Sequence, residues 1–311
     1  MINENKLPFL SRFLIYQKER FPFLLHGPLI LMFTFSAIAY SRICRGQEGF
    51  INMSDFVVGF ITTLCLFFLL RILDEFKDQD IDEKYRKELP VPRGLISLTE
   101  LKWVGVAVMA IQITVILLGH PSMFLFYLIV IAYLVLMTFE FFVHEWLNDH
   151  IWVYVGSHMI IIPLVDIYAS GLDWYVDGDQ PHIGLLLFFG VSYFNGIVLE
   201  IGRKLKAPED EKEGVLTYSG MLGFAKGIYL WMGILLITAT IASAACYYAD
   251  LSVLSYYILA VFFGICIYFA FRYKNLPNQK NSKLVEIMSG VWTLLMYGTL
   301  GGISGLTNFF I

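Results

Sequence analysis

Nine stretches of about twenty mostly apolar residues recur along this 311-residue chain, each long enough to cross the hydrocarbon of a bilayer. They fall at 22–42, 54–74, 101–119, 123–142, 152–170, 183–202, 223–247, 251–271 and 285–310. Lipid offers no partner for a backbone amide, so a spanning segment must satisfy its own hydrogen bonds as a helix. Hydrophobic residues make up 58% of the chain and charged residues 15%, which leaves little material for a soluble domain. The expectation is an all-α membrane protein with nine transmembrane helices around a central cavity. The fifth stretch is the most interrupted, by Pro163 and Asp166. No Ser/Gly linker or low-complexity tract divides the chain, so residues 1–311 read as one domain.

The distribution of Lys and Arg sets an orientation. With the N-terminus inside, all but Arg42 and Arg45 of the 22 Lys and Arg residues lie on inner segments. The N-terminus and both long charged loops are therefore expected on the cytoplasmic side. Residues 1–21 mix Lys6, Arg12, Lys18 and Arg20 with Phe9, Leu10, Phe13 and Leu14. That pattern fits an amphipathic helix on the inner membrane surface rather than a cleaved leader. Cys44, Cys65, Cys246 and Cys266 show no CxxC spacing and read as small apolar packing residues. No nucleic-acid partner is expected; membrane lipid is.

Two acidic clusters sit at the inner ends of the second and sixth spans, in loops 75–100 and 201–222. In the first, Asp74, Glu75, Asp78 and Asp82 have spacing i, i+1, i+4, i+8. On one continuous helix these four would project within about 100° of each other. So many carboxylates repel unless a cation neutralises them. Mg²⁺ is commonly held by one or two carboxylates plus substrate phosphates. Arg71, Lys77, Arg203 and Lys204 stand where they could bind the phosphate oxygens. The second cluster is Glu200 with Glu209, Asp210, Glu211 and Glu213. The first loop then turns through Pro90-Val91-Pro92-Arg93-Gly94, and Ser97-Leu98-Thr99-Glu100 predicts a capping box for the third span. The similar passage from helix to charged loop after the second and sixth spans hints at an internal repeat. Gly298 and Gly302, and Gly301 and Gly305, have the GxxxG spacing of close helix packing.

The chain resembles the UbiA superfamily of intramembrane prenyltransferases, which includes UbiA-type terpene cyclases. Family members have nine helices and an N-D-x-x-D-x-x-x-D motif after the second, followed by R-P-x-P-S-G. Here the same spacing reads Asp74-Glu75-x-x-Asp78-x-x-x-Asp82, then Leu89-Pro90-Val91-Pro92-Arg93-Gly94. The family's second motif is an Asp-rich run leading to G-x-x-T after the sixth helix. Here it reads Glu209-Asp210-Glu211-Lys212-Glu213-Gly214-Val215-Leu216-Thr217. The resemblance implies Mg²⁺-dependent ionisation of a prenyl diphosphate. Asp74, Glu75, Asp78, Asp82, Glu200 and Asp210 would hold the metal, with Glu209 and Glu211 as substitutes in the loop. Arg71, Lys77, Arg203 and Lys204 would hold the diphosphate.

The departures from the family pattern concern the acceptor. Aromatic-acceptor members often carry a Y-x-x-x-K pair near the fourth helix, whereas no Lys or Arg occurs here between residues 103 and 202. A cavity without cations is poorly suited to an anionic acceptor. Any second substrate is therefore expected to be lipophilic and uncharged, such as a quinol, phenol or indole. If there is none, the chain would act as a terpene cyclase, since Asp74-Glu75-x-x-Asp78 is similar to the D-D-x-x-D metal motif of class I cyclases. A transporter is the alternative from another class, but it predicts polar groups at the midplane of broken helices. Glu140 and Asp166 are candidates for acceptor positioning or proton removal. His144, His158 and Asn195 lie nearby in sequence, with interhelical hydrogen bonding as the ordinary reading for the last two. Asp173, Asp177 and Asp179 read as an exposed outer loop. Most of the 27 Phe and 18 Tyr pack or face lipid, and a few could stabilise a carbocation through their ring faces.

Overall fold

A computed structural model describes residues 6–212 and 214–303. Glu213 and Gly305 lie outside the described residues. No strand occurs among the described residues, and nine helical spans are long and apolar enough to cross a membrane. In chain order, α1 (Phe9–Arg20) precedes the first span, α2 (Phe23–Cys44). The second span is α3 (Met53–Lys77), followed by a short α4 (Gln79–Tyr85), and the third is α5 (Leu98–Gly119). The fourth is Pro121–Thr138, most of it α6 (Phe124–Thr138). After α7 (His144–Asp149), the fifth span is divided into α8 (Ile151–Met159) and α9 (Ile161–Trp174). The sixth is α10 (Leu185–Arg203); after α11 (Tyr218–Leu222) come α12 (Phe224–Tyr248), α13 (Val253–Asn275) and α14 (Gln279–Tyr297). The ninth span continues from α14 as a π-helical turn, Gly298–Gly302.

Several helix boundaries follow directly from local chemistry. The capping box of α5 is formed: the Ser97 hydroxyl accepts from the Glu100 amide at 3.2 Å and the Ser97 amide donates to Glu100 Oε2 at 2.9 Å. The break between α8 and α9 has its cause in Pro163, whose missing N–H would have bonded to the Met159 carbonyl. The fourth span ends earlier than the sequence indicated. Glu140, Phe141 and Phe142 all have positive φ, at 47°, 53° and 59°, so the chain leaves the helix after Thr138 in a tight left-handed turn.

The core surrounds α2, α10 and the last span, which bury half or more of their most apolar windows, whereas α13 buries 22%. α2 packs on α9, α3 and the π turn; α10 packs on α12, α14 and α9; α3 packs on α5. Polar side chains join these helices. Trp231 donates to Ser289 Oγ at 3.0 Å and Tyr40 donates to the Ala245 carbonyl at 3.0 Å. Such bonds contribute on average about 0.6 kcal/mol each inside a bilayer. The glycines of the last span do serve packing. Gly301 lies against the backbone of Ser36 and Gly302 against Met32, while Gly298 faces open space. At the end of α2 remote from α1, Asp177 and Asp179 are exposed as expected, but Asp173 is not, and all three form an ion-pair cluster with Arg45. Asp173 is buried on α9, 2.6 Å from Arg45, which also meets Asp177 at 2.7 Å and Asp179.

α1 is amphipathic and docks beneath the bundle. Phe9, Leu10 and Leu14 stay exposed, but Tyr16 is fully buried and Arg12 reaches Glu100 at 2.5 Å. The contact of α2 with the π turn gives a stability test. A Cβ on Gly301 would meet the Ser36 Cα at 2.5 Å, and overpacking of this kind costs about 1–3 kcal/mol. Gly301→Ala is expected to lower the thermal midpoint by several degrees in detergent, while Gly264→Ala, which meets nothing within 4 Å, leaves it unchanged. Equal midpoints for the two variants would show that this helix contact is not tight.

Candidate active site

The first acidic cluster does not form one continuous face. α3 ends at Lys77, Asp78 caps it with φ −90° and ψ 7°, and α4 starts afresh at Gln79. Asp74 and Glu75, adjacent on α3, point about 100° apart and meet different partners. Glu75 and Asp82 are both buried and both meet Arg20 from α1, Glu75 at 2.6 Å and Asp82 at 3.9 Å. Glu75 also accepts from Arg71 at 2.8 Å, and Asp82 from Arg86 at 3.1 Å. Burial pushes the Asp82 carboxyl above its ordinary range, against the pull of Arg86. Asp74 turns into the bundle, where Arg71 lies 3.3 Å from it.

Asp74 lines a cavity of about 350 Å³. Arg20, Arg71 and Arg203 line the same cavity, toward the C-terminal ends of α1, α3 and α10. Beyond this charged rim the walls are apolar and aromatic: Phe21, Leu29, Ile30, Phe33, Phe67, Leu70, Ile162 and Leu199. Tyr297 and Thr293 complete the far side from α14. A mouth with three guanidiniums and one carboxylate thus leads into a greasy chamber. The two charged loops meet at this end of the bundle, where Lys212 pairs with Glu88 and the Tyr85 ring packs over Gly214. Gly214 has φ +74°, a conformation that favours glycine.

The remaining basic candidates are engaged by neighbouring acids or aromatics. Arg203 holds Glu200 at 2.6 Å and has a side chain 58% exposed, so its guanidinium is accessible at the mouth. Lys204 pairs with Glu200 at 2.7 Å and is not part of the cavity lining. Lys77 points away from the cavity, to Glu140 at 3.0 Å, Tyr154 at 2.6 Å and His158 at 3.1 Å. His158 Nδ1 lies 2.8 Å from the Tyr154 carbonyl. That oxygen only accepts, so Nδ1 carries the proton and Nε2 accepts from Lys77. Glu140 also pairs with His144, whose Nε2 reaches Asn148 at 3.0 Å. Glu140 and His144 thus belong to this side cluster and not to the cavity wall.

The second acidic loop is largely tied to its own surroundings. Glu209 accepts from the Gln279 amide at 2.9 Å, and Asp210 accepts from Gln279 Nε2 at 3.3 Å. Glu211 accepts from Thr217 and Ser219, each at 2.6 Å, holding the start of α11. Glu200 is the acid of this group nearest the mouth, through Arg203. Deep in the bundle, Asp166 on α9 and Asn195 on α10 are fully buried.

Among the described residues no three acidic, His or Cys side chains converge to enclose an ion by themselves. The donor chemistry at the mouth still suits Mg²⁺. Asp74 offers a one-third exposed carboxylate inside the cavity rim, Asp78 follows one turn later, and Mg²⁺ needs only one or two carboxylates when phosphates supply the rest. Glu75 and Asp82 are less free to do so, because each is shared among arginines.

Three features of the site lie outside the motifs. Arg20 was read as part of a surface helix, yet it is a rim residue. Its position just before Phe21-Pro22, at the entry to the first span, was the available signal. His26 stacks on Phe21 at 4.6 Å and joins the lining. Tyr297, flanked by Phe33 at 5.2 Å, had no sequence signal beyond being one aromatic among many.

Comparison with known proteins matches these features. The sequence profile of the UbiA prenyltransferase family fits residues 30–294. An apo UbiA homologue from Aeropyrum pernix K1 superposes with a TM-score of 0.64 at 14% identity, covering 92% of this chain and 98% of its own. A structure described for digeranylgeranylglyceryl phosphate synthase gives a TM-score of 0.60 at 14% identity, covering 94% of this chain and 99% of its own. A UbiA homologue from Archaeoglobus fulgidus bound to GPP and Mg²⁺ gives 0.56 at 12% identity, covering 95% and 99%. No curated protein matches the sequence. The chain is an integral, multi-pass membrane protein, and it belongs to the UbiA prenyltransferase family.

Proposed function

We propose that this protein uses Mg²⁺ to ionise a prenyl diphosphate and transfers the prenyl group to a lipophilic, uncharged acceptor. The observation that carries this reading is the cavity, with Arg20, Arg71, Arg203 and Asp74 at its rim and aromatic and aliphatic walls beyond. A prenyl diphosphate has the same division, a polyanionic head on a hydrocarbon tail. The A. fulgidus homologue with GPP and Mg²⁺ bound supports the same substrate class.

In this reading Asp74 and Asp78 supply the carboxylates of the metal site, with Glu200 across the mouth and Asp210 in the adjoining loop. When bound, Mg²⁺ offsets the negative charge that grows on the departing diphosphate. Arg71 and Arg203, joined by Arg20, donate to the same phosphate oxygens, and a guanidinium does so in a fixed bidentate fork. The C1–O bond breaks with its electron pair leaving on the diphosphate. The allylic cation is captured by an electron pair of the acceptor, which then loses a proton. Water is kept away by the apolar walls, and the faces of Phe33 and Phe67 offer electron-rich surfaces to the cation. Lys77 and Lys204 shape the field from outside the cavity. Asp166 and Glu140 remain the candidates for acceptor positioning, the former beneath the cavity and the latter in the side cluster with Lys77.

Three outcomes test this reading. Purified protein should release diphosphate from a prenyl diphosphate only when Mg²⁺ is present. Asp74→Asn and Asp78→Ala should each cut that release at least a hundredfold, about 2.7 kcal/mol of barrier, without loss of folded protein. Near-normal release in both variants would remove the metal site from this loop. In competition assays with one donor, neutral phenols should be prenylated and benzoates should not. Efficient prenylation of a benzoate would contradict the uncharged acceptor, and a hydrocarbon or terpene alcohol formed with no acceptor present would make the enzyme a cyclase. Finally, cysteines placed at Lys87 and Lys212 should react with a membrane-impermeant thiol reagent only from the cytoplasmic side; labelling from outside would invert the topology.

A further inference from the structure

Beneath the cavity lies a second polar feature that the chemistry at the mouth does not use. Asp166, Ser192, Asn195 and Tyr297 come from three helices, α9, α10 and α14, and face one another in the centre of the bundle. Asp166, Ser192 and Asn195 are each 0% exposed. Both carboxyl oxygens of Asp166, the Ser192 hydroxyl and both polar atoms of Asn195 make no hydrogen bond of good geometry among the described residues, although Ser192 neighbours Asp166, and Ser192 and Asn195 neighbour Tyr297. A buried polar atom left unpaired costs about 1–3 kcal/mol, and in a bilayer no water stands by to relieve it. Five such atoms in one place, fully built into helices, are the mark of a receptor for a polar group that arrives from elsewhere.

The receptor adjoins the cavity. Tyr297 lines it, as do Ile162, one turn before Asp166, and Gly196, directly after Asn195. Along α10, Asn195 stands eight residues from Arg203, about 12 Å at the rise of an α-helix. The diphosphate rim and the polar floor are thus separate ends of one chamber. The π turn that begins at Gly298 sets the backbone immediately after Tyr297, and such turns occur often at functional sites.

We propose that Asp166, Ser192, Asn195 and Tyr297 seat the hydroxyl of an uncharged molecule that enters the cavity, and orient that molecule toward the cation. This rests on the reading of the chain as a prenyl-diphosphate enzyme. A carboxyl oxygen of Asp166 accepts from the hydroxyl hydrogen, and two of Asn195 Nδ2 and the Ser192 and Tyr297 hydroxyls donate to the two lone pairs of its oxygen. No Lys or Arg is contributed by residues 103–202, so nothing on α9 or α10 at this depth compensates an anionic ligand beside Asp166. The same O–H chemistry could come from a phenolic or alcoholic acceptor or from water.

Two measurements separate these sources. In nanodiscs without Mg²⁺ or donor, calorimetric titration with a neutral phenol should give binding, with the corresponding methyl ether at least tenfold weaker. Asp166→Asn and Ser192→Ala should each weaken the phenol at least fivefold, and Gly264→Ala should not. In turnover with donor alone, ¹⁸O-labelled water should appear in a terpene alcohol, and the same two variants should lower the ratio of alcohol to olefin at least fivefold. Either result supports the seat and names its occupant. If the variants melt as the wild type does and shift neither the titration nor the ratio, the cluster is not a seat. If Asp166→Asn does not fold, Ser192→Ala alone decides. Failure of the parent reading is distinct: wild type would then release no diphosphate from any donor, whatever the phenol titration gives.

Discussion

Glu75 holds the inner mouth together. Its carboxylate is almost fully buried between Arg20 of α1 and Arg71 of α3, with the Tyr16 hydroxyl 3.5 Å away. Taking one carboxylate and two guanidiniums out of water is costly, and the arrangement holds only because each charge has partners. Removing one partner from such a buried group typically costs about 3–5 kcal/mol. Everything at the rim follows from this knot. It fixes α1 beneath the bundle, and it consumes the acid next to Asp74. It brings Arg20 beside Arg71 at the cavity edge, and through Arg20 it also draws in Asp82 from α4. The break at Asp78 is part of the same geometry. Arg20 lies 3.9 Å from Asp82, so α4 is tied to α1 just beyond Asp78.

The sequence made the helices legible because lipid imposes one strict requirement, a long apolar run with internally paired backbone. The spans, the capping box at Ser97 and the close packing of Gly301 were readable on that basis. The site was legible only by residue type. Spacing placed Asp74, Glu75, Asp78 and Asp82 on one face, since periodicity assumes a continuous helix. Asp74 and Glu75 are neighbours on the same helix, α3, and the step of about 100° between adjacent helical residues is enough to send Glu75 to Arg20 while Asp74 enters the cavity. Lys77 was misplaced for a related reason: its partners Glu140, Tyr154 and His158 lie far away in sequence, behind a left-handed turn that no pattern announces. Arg20 was hidden because a basic residue on an amphipathic helix ordinarily faces the membrane surface.

Electrostatically the rim is a set of opposed charges waiting for a polyanion. Arg71 and Arg203 each already have a carboxylate, Glu75 and Glu200, so their charges are partly offset in the resting protein. Incoming phosphate oxygens would have to share these guanidiniums with the resident acids. An arginine can do this because five donors project from its planar head. A lysine has three donors on one nitrogen and forms no such fork, which fits the placement of Lys77 and Lys204 beside the cavity instead of in it.

In the proposed reaction, the separation between this charged rim and the buried polar floor would let the chamber be both greasy and selective. Ionisation requires charged groups in contact with an aqueous face, where a diphosphate can enter and leave. Capture of a carbocation requires the opposite, a dry wall with a single nucleophile in reach. Setting the two ends about two turns of α10 apart lets one helix serve both, with Arg203 at its exposed end and Asn195 in the membrane. The apolar residues between them, Leu199 and Gly196 on the same face, keep the two polar sites from joining into a continuous wet path. A water-filled connection would quench every cation at the rim, so the apolar middle of the chamber matters to the chemistry as much as either end.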